Sequence, residues 1–483
     1  MHTELSFSYR QIAIIVISIL VLVGIAFAFE YYILLFLPPF YFIALGFFFK
    51  PDLFFYFLAF ITPLSINPAD AELGKLSLAI PSEPIAALLV IFFFLLLVST
   101  NKVDKNFLTH PISLIIYIYF IWLGICSLTS VDKLVSIKFV IAKIWFIVPC
   151  YFLAGVYFQE NKKIIRYMFL FVLGMTLVSA FNVIHLSFFG FEDQPSQWTM
   201  QPFFKDHAIL GAILAITIPL CIGLKKLAGR DIVKSSSLIL FFVILVFCLI
   251  VTYSRAAWVS VIPAILLYLI FLFRIRFRWL LMSFFFVLIY LFLHLDSILM
   301  DLEKNKVAGS DDLVENAESI SNISSDPSNM ERINRWTCAI EMWKDKPIFG
   351  WGPGTYMFEY APYQLKRNYT EISTNFGDVG NAHSEYLGPL AETGLPGLLI
   401  FISLMIATFY YAFEAHIKSK SIEGKIIICT AACALITYFT HGFLNNYLDT
   451  DKASNIFWPL IAVIVAMDTR GEIKELKNEG MKK

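Results

Sequence analysis

Long apolar runs alternate with short polar connectors along almost the whole chain. The runs lie near 11–29, 31–49, 52–66, 84–99, 111–128, 136–158, 167–189, 207–224, 236–253, 256–273, 280–296, 386–413, 425–441 and 455–468. Most approach the roughly 20 residues a helix needs to cross a bilayer. Lipid offers a bare backbone no hydrogen bonds, so the runs must be helical. Runs 52–66 and 455–468 are short, and the count falls from about fourteen to about twelve if such segments are re-entrant or paired. The pattern predicts an all-α, polytopic transmembrane helical bundle of about 12–14 spans.

One polar stretch interrupts the rhythm. It divides the chain into N-terminal transmembrane helices over 1–296, a loop over 297–382, C-terminal transmembrane helices over 383–468 and a tail over 469–483. From Asp311 to Ser328 the loop is rich in Ser, Asn, Asp and Glu and has no aromatic residue, which predicts a mobile stretch. Ser328 followed by Glu331 has the spacing of a capping box and predicts a helix from about 329 to 345. Pro347 follows, and then Gly350-Trp-Gly-Pro-Gly354, a tightly turning loop.

Composition narrows the class. Of 483 residues, 58% are hydrophobic and 15% charged, too apolar for a soluble domain with helices of ordinary length. Net charge is zero and no large basic domain appears, so nucleic acid is not an expected partner. The seven Cys are scattered without a CxxC or Cys/His pattern, and Cys429 with Cys433 reads as two buried small residues. Neither a metal nor another cofactor is expected. The first run lacks a small-residue cleavage site and reads as a retained helix.

The basic residues orient the bundle. With the N-terminus inside, the inside segments collect Lys50, Lys102, Lys105, Lys162, Lys163, Arg166, Lys225, Lys226, Arg230, Lys234, Arg274, Arg276, Arg278, Lys418, Lys420 and the tail. The short outside loops hold only Lys75, Lys133, Lys205, Arg255 and Lys452. This bias predicts cytoplasmic termini and an extracytoplasmic 297–382 loop.

The candidate chemistry gathers on that outer face. Arg255 stands between two apolar runs, where an arginine either snorkels or clamps a phosphate through bidentate hydrogen bonds. Arg332 and Arg335 share a helix face, with Trp336 one turn from Arg332. They fit a solvated amphipathic helix or a second cationic contact for the same anion. His383 lies where the loop re-enters the membrane; it is either structural or placed to take a proton from a hydroxyl. Lys138, Lys143 and His207 are weaker candidates for ligand contact, because intramembrane and boundary charges are often functional.

These residues resemble the signature of the O-antigen ligase and polymerase superfamily. His383-Ser384, nine residues, and Gly394-Leu-Pro-Gly397-Leu398 are similar to its His-[Asn/Ser/Gln]-x9-Gly-x-x-Gly-[Leu/Thr/Val] element. Ser254-Arg-Ala-Ala-Trp258 is similar to its Ser-Arg-x-x-Trp segment. Arg332-x-x-x-Trp336, followed by Pro347-Ile-Phe-Gly350-Trp-Gly352, is similar to its loop. The elements occur in the family's order, and the resemblance covers roughly 200–445.

The resemblance implies a metal-independent glycosyltransferase in the bacterial inner membrane. Its donor would be an undecaprenyl-diphosphate-linked glycan, and its acceptor the lipid A core or another glycan. Arg255 and Arg332 would bind the diphosphate, and His383 would receive or orient the acceptor proton. The mobile stretch near 300–328 would gate acceptor entry. A complete His-Ser-x9-Gly-x-x-Gly-Leu element favours an O-antigen ligase of lipopolysaccharide biosynthesis. An O-antigen or exopolysaccharide polymerase and a protein O-oligosaccharyltransferase are the alternatives in the same class. A polysaccharide transporter or flippase is the rival class; it would line a central cavity with charge and show related halves, and this sequence shows no internal repeat.

Overall fold

The computed structural model describes residues 50–70, 77–99, 103–275, 278, 279, 282, 286, 327–365 and 380–480. The expected spans at 11–29 and 31–49, nearly all of 280–296, and most of the 300–328 stretch lie outside the described residues. The chain divides into two compact units, Met1–Phe55 and Tyr56–Lys483, and every candidate residue belongs to the second.

The protein is an all-α, multi-pass membrane protein. The main helices are α1 (Pro51–Ile61), α2 (Ser82–Ser99), α3 (Pro111–Leu128), α4 (Lys133–Tyr157), α5 (Asn161–Ser187), α6 (His207–Ala228), α7 (Ile232–Val251) and α8 (Arg255–Leu272). They continue with α9 (Pro327–Asp345), α10 (Leu387–Lys418), α11 (Ile422–His441) and α12 (Asp451–Gly480). Among the described residues, nine helices are long and apolar enough to span a membrane: α2 to α8, α10 and α11. No strand forms among them; Ile66 and Ile80 make an isolated bridge. The short expected run at 52–66 becomes the 11-residue α1.

Local sequence explains the breaks. Asp132, Asp206, Asp231 and Ser421 each cap a helix by accepting from first-turn amides. In α4, Pro149 lacks the amide that an α-helical turn would need, and the chain widens into a π turn over Val148–Leu153. Helix α9 starts at Pro327, slightly before its expected start, with proline in the first turn where its missing N–H costs nothing. Ser328 therefore lies inside the helix, one turn before Glu331. The Glu331 Oε1 accepts from Arg335 Nε at 2.6 Å.

The bundle centres on α6, α8 and α11, which pack extensively against one another. Small residues permit the close approach: a Cβ at Gly211 of α6 would stand 2.8 Å from the Ser254 Cβ that precedes α8. Helix α9 lies against the start of α10, over a core of Cys338, Ala339, Met342, Tyr356, Tyr360, Ala382 and Ala391. The polar loop and the C-terminal helices are therefore joined by an apolar seam.

Candidate functional site

The two glycine-bearing motifs interlock. Gly350 has φ 66° and Gly394 has φ 72°, a region that favours glycine. A Cβ on Gly350 would lie 2.3 Å from the Glu392 carbonyl carbon, and one on Gly394 would lie 2.0 Å from the Ile348 oxygen. Backbone hydrogen bonds cross the contact from Trp351 N to Ala391 O, from Gly352 N to Glu392 O and from Leu395 N to Pro347 O. Trp122 of α3 secures the same place by donating Nε1–H to the Thr393 oxygen at 2.9 Å and stacking on Phe349. The 350–354 loop thus fixes the start of α10, and with it the segment that carries His383.

His383 itself is held in an uncommon conformation, with φ 48°. Its amide donates to Asn381 Oδ1 at 3.0 Å, and its carbonyl accepts from Trp336 Nε1 at 3.3 Å. The next residue, Ser384, accepts at Oγ from the amides of Tyr386 and Leu387. The pair therefore divides its work: the serine starts the helix and the histidine projects from the turn before it. The His383 side chain lies beside Asn445. Asn445 Nδ2 in turn lies 3.1 Å from His441 Nε2, and the His441 ring lies against the Ala256 backbone. This chain of contacts links His383 to the segment that begins with Arg255.

Arg332 is the common neighbour. Its charge acts on His383, His207, His441 and Tyr447, which come from three separate segments of the chain. The charge of Arg255 also falls on His207. Arg255, Arg332, His383 and His207 are thus brought to one locality, joined by His441 and Tyr447. Burial, followed by the Arg332 and Arg335 charges, pushes the His383 imidazole down to about 4. At neutral pH it is a neutral imidazole with a lone pair to offer. Arg255 occupies the first turn of α8, so its guanidinium and the orphan amides of that turn favour the same ligand charge. The locality sets the Arg255 and Arg332 guanidiniums beside an unprotonated base, with the Asp193, Asp206 and Glu331 carboxylates around them, and paired guanidiniums suit an anion being expelled from an electrophilic centre.

Of the remaining candidates, Arg335 and Trp336 act on His383 and the two lysines of α4 stand apart. Arg335 is buried, bonded to Glu331 and stacked 3.9 Å over the Tyr360 ring, so it acts on His383 from inside the loop core. Trp336 holds the His383 carbonyl. Lys143 is buried in α4, 2.7 Å from Asp449 Oδ1 and 3.0 Å from the Leu448 oxygen. Lys138 is exposed on the same helix and does not join that pair. Trp258 donates Nε1–H to the Leu249 oxygen and clamps the end of α7 to the start of α8.

Sequence reasoning missed His441, Asn445 and Tyr447, which belong to no spaced motif. It also left Glu385 unassigned. Glu385 is buried, and one oxygen accepts from Tyr438 Oη at 2.6 Å and from the Tyr447 and Leu448 amides at 2.8 Å each. Burial and the Asp449 charge push its carboxyl up to about 7. It ties the turn after α11 to the turn before α10, and so positions the wall behind His383.

Residues 240–402 match the family model described as O-antigen ligase. The matched segment contains Arg255, Arg332 and His383 together with both glycine motifs. No curated protein matches the chain. The match supports the O-antigen ligase and polymerase superfamily, and with it glycosyl transfer of that broad type.

Proposed function

From that superfamily match we propose that this multi-pass protein transfers a glycan from undecaprenyl diphosphate to a hydroxyl acceptor, as an O-antigen ligase whose acceptor is the lipid A core. The observation that carries the reading is the shared neighbourhood of Arg332, Arg255, His207 and His383. In the reaction the acceptor oxygen forms a bond to the anomeric carbon. The bond from that carbon to the phosphate oxygen breaks, and the diphosphate leaves with the electron pair. Arg255 and Arg332 stabilise the departing charge, and His383 takes the acceptor proton. Two guanidiniums supply the positive charge, so the chemistry requires no divalent metal.

The site faces the extracytoplasmic side of the bacterial inner membrane in this reading. The basic residues expected inside support that orientation. Lys226, Arg274, His416 and Lys425 line one cavity among α6, α8, α10 and α11. Arg255 and His207 lie at the opposite ends of α8 and α6.

A deletion strain tests the activity. Loss of all lipid A-attached polymer with intact lipid-linked polymer supports the ligase. Single-repeat caps on lipid A indicate a polymerase instead, and an unchanged lipid A with lost protein glycans indicates a protein oligosaccharyltransferase. Arg332→Ala and His383→Ala, each expressed in the deletion strain, are expected to abolish transfer without loss of membrane insertion. Wild-type transfer by both variants would remove the site from the reaction.

A further inference from the structure

A second space adjoins the Arg332 locality. It is a cavity of about 350 Å³, within the lower part of the roughly 300–1,000 Å³ range of small-molecule sites. Its polar lining includes Lys143, Glu385, Glu392, Asn446 and Asp449, and its apolar lining includes Phe139, Met357 and Phe401. Two segments serve both spaces. Lys205 lines the cavity, whereas His207 two residues later feels Arg332 and Arg255. Asn381 and Ala382 line it, whereas His383 feels Arg332.

Two residues of the lining carry buried polar atoms with unmet hydrogen-bonding capacity. Asn446 Oδ1 and Trp458 Nε1 are buried and have no hydrogen-bond partner among the described residues. Both residues line the cavity, and Trp458 is 3% exposed. Leaving such an atom unmatched in the interior is unfavourable, so a complementary ligand that meets both is favoured. One is an acceptor and the other a donor. A hydroxyl supplies both functions, and a sugar ring carries hydroxyls at its edge and C–H groups on its faces. The mixed lining of amide, carboxylates, indole and apolar side chains complements both parts.

Resting on the transferase reading above, we infer that this cavity is the subsite for the terminal sugar of the acceptor, with Asn446 and Trp458 as its specificity-determining contacts. The acceptor saccharide lies here and its nucleophilic hydroxyl is directed across the Asn381–His383 segment towards His383. The carboxylates Glu385 and Glu392 line the same space and favour ligands that donate hydrogen bonds. Lys143 on the same lining is paired with Asp449, whereas the donor subsite is assigned to Arg255 and Arg332.

Trp458→Phe removes the indole N–H and keeps an aromatic ring; Asn446→Leu removes the amide and keeps the bulk. The assay uses full-length protein in nanodiscs, lipid-diphosphate-linked glycan isolated from the deletion strain as donor, and that strain's own polymer-free lipid A core as acceptor. Each variant is expected to raise the acceptor KM about tenfold, the size of one lost hydrogen bond, with the donor KM within about twofold of wild type. Thermal shift with the acid-released, water-soluble core saccharide gives a second readout. Wild type and Arg332→Ala are expected to be stabilised by it, and Trp458→Phe is not.

An unchanged acceptor KM in both variants overturns the inference, as does a rise confined to the donor KM. A lower melting temperature with unchanged saccharide binding would assign the unmatched atoms to a structural water and also overturn it. Wild-type protein that transfers nothing, or Arg332→Ala that transfers normally, would instead defeat the parent reading. The thermal-shift arm keeps these failures distinct.

Discussion

The indole N–H of Trp336 reaches across from α9 to the carbonyl oxygen of His383, 3.3 Å away. Arg332 lies one helical turn before Trp336, so one helix face both fixes the His383 backbone and charges its surroundings. The Arg-x-x-x-Trp spacing is thereby explained physically: the arginine supplies the field, and the tryptophan holds the turn on which that field acts.

Trp336→Phe tests the positioning half of that arrangement. The aromatic ring remains, but the His383 carbonyl loses its donor. One neutral hydrogen bond is worth about 0.5–1.5 kcal/mol, so transfer is expected to fall by up to about tenfold. His383→Ala should fall much further. Steady-state transfer by purified protein measures both, and a Trp336→Phe loss as deep as that of His383→Ala would mean that the indole contacts substrate.

How much of this was legible in the sequence depends on distance along the chain. The run at 111–128 matches α3 at both ends because Pro111 and the polar Thr129 bracket it. The glycine motifs and His383 were legible because their spacing is local. The meeting of His383 with Arg255 was expected only from the resemblance, and its route was not legible, because it passes through Asn445 and His441 at the end of α11. A histidine and an asparagine four apart at a helix end have no distinctive pattern. Glu331 shows the reverse case: its spacing from Ser328 suggested a cap, whereas its ion pair with Arg335 one turn later could not be read from that spacing.

Gly394→Ala is expected to be severe. The residue has φ 72°, and a Cβ would meet the Ile348 oxygen at 2.0 Å, where backbone leaves no side chain to swing aside. A non-glycine residue in a sparsely populated conformation costs about 1–3 kcal/mol before the clash is counted. The variant should show a lower melting temperature and lose transfer together, because the 350–354 loop can no longer seat against α10. Gly124→Ala in α3, where a Cβ would meet nothing within 4 Å, is the control and should leave the melting temperature unchanged.

If the guanidiniums of Arg255 and Arg332 carry the leaving-group charge, transfer should not depend on divalent metal. Excess EDTA added to purified protein, donor and acceptor is expected to leave the rate within about twofold of the untreated sample. Arg332→Lys should remain far below wild type with or without added Mg²⁺, because an ammonium cannot reproduce the planar two-pronged contact with phosphate oxygens. A rate that collapses in EDTA and returns with Mg²⁺ would transfer the role to a metal.

The depressed His383 imidazole predicts an unusual pH profile. Its ordinary value is 6.5 and the fold holds it at about 4, through burial first and the Arg332 and Arg335 charges next. Because the folded value is the lower one, the neutral ring is the favoured form. Its stabilising contribution is full above 6.5 and is lost as pH falls from 6.5 towards 4. In the free enzyme the base is therefore available down to about pH 4, and the acid limb of kcat/KM should lie there rather than near 6.5. A group with so low a value is a weak base, however, and the donor changes that. A bound diphosphate would offset the Arg332 charge and raise the imidazole, so that it gains proton affinity as the anion arrives. The acid limb of kcat should consequently lie above that of kcat/KM. Histidine NMR titration of the protein with and without the lipid diphosphate measures the same displacement directly. A free-enzyme limb at 6.5, unmoved by the donor, would show that His383 neither feels Arg332 nor serves as the base.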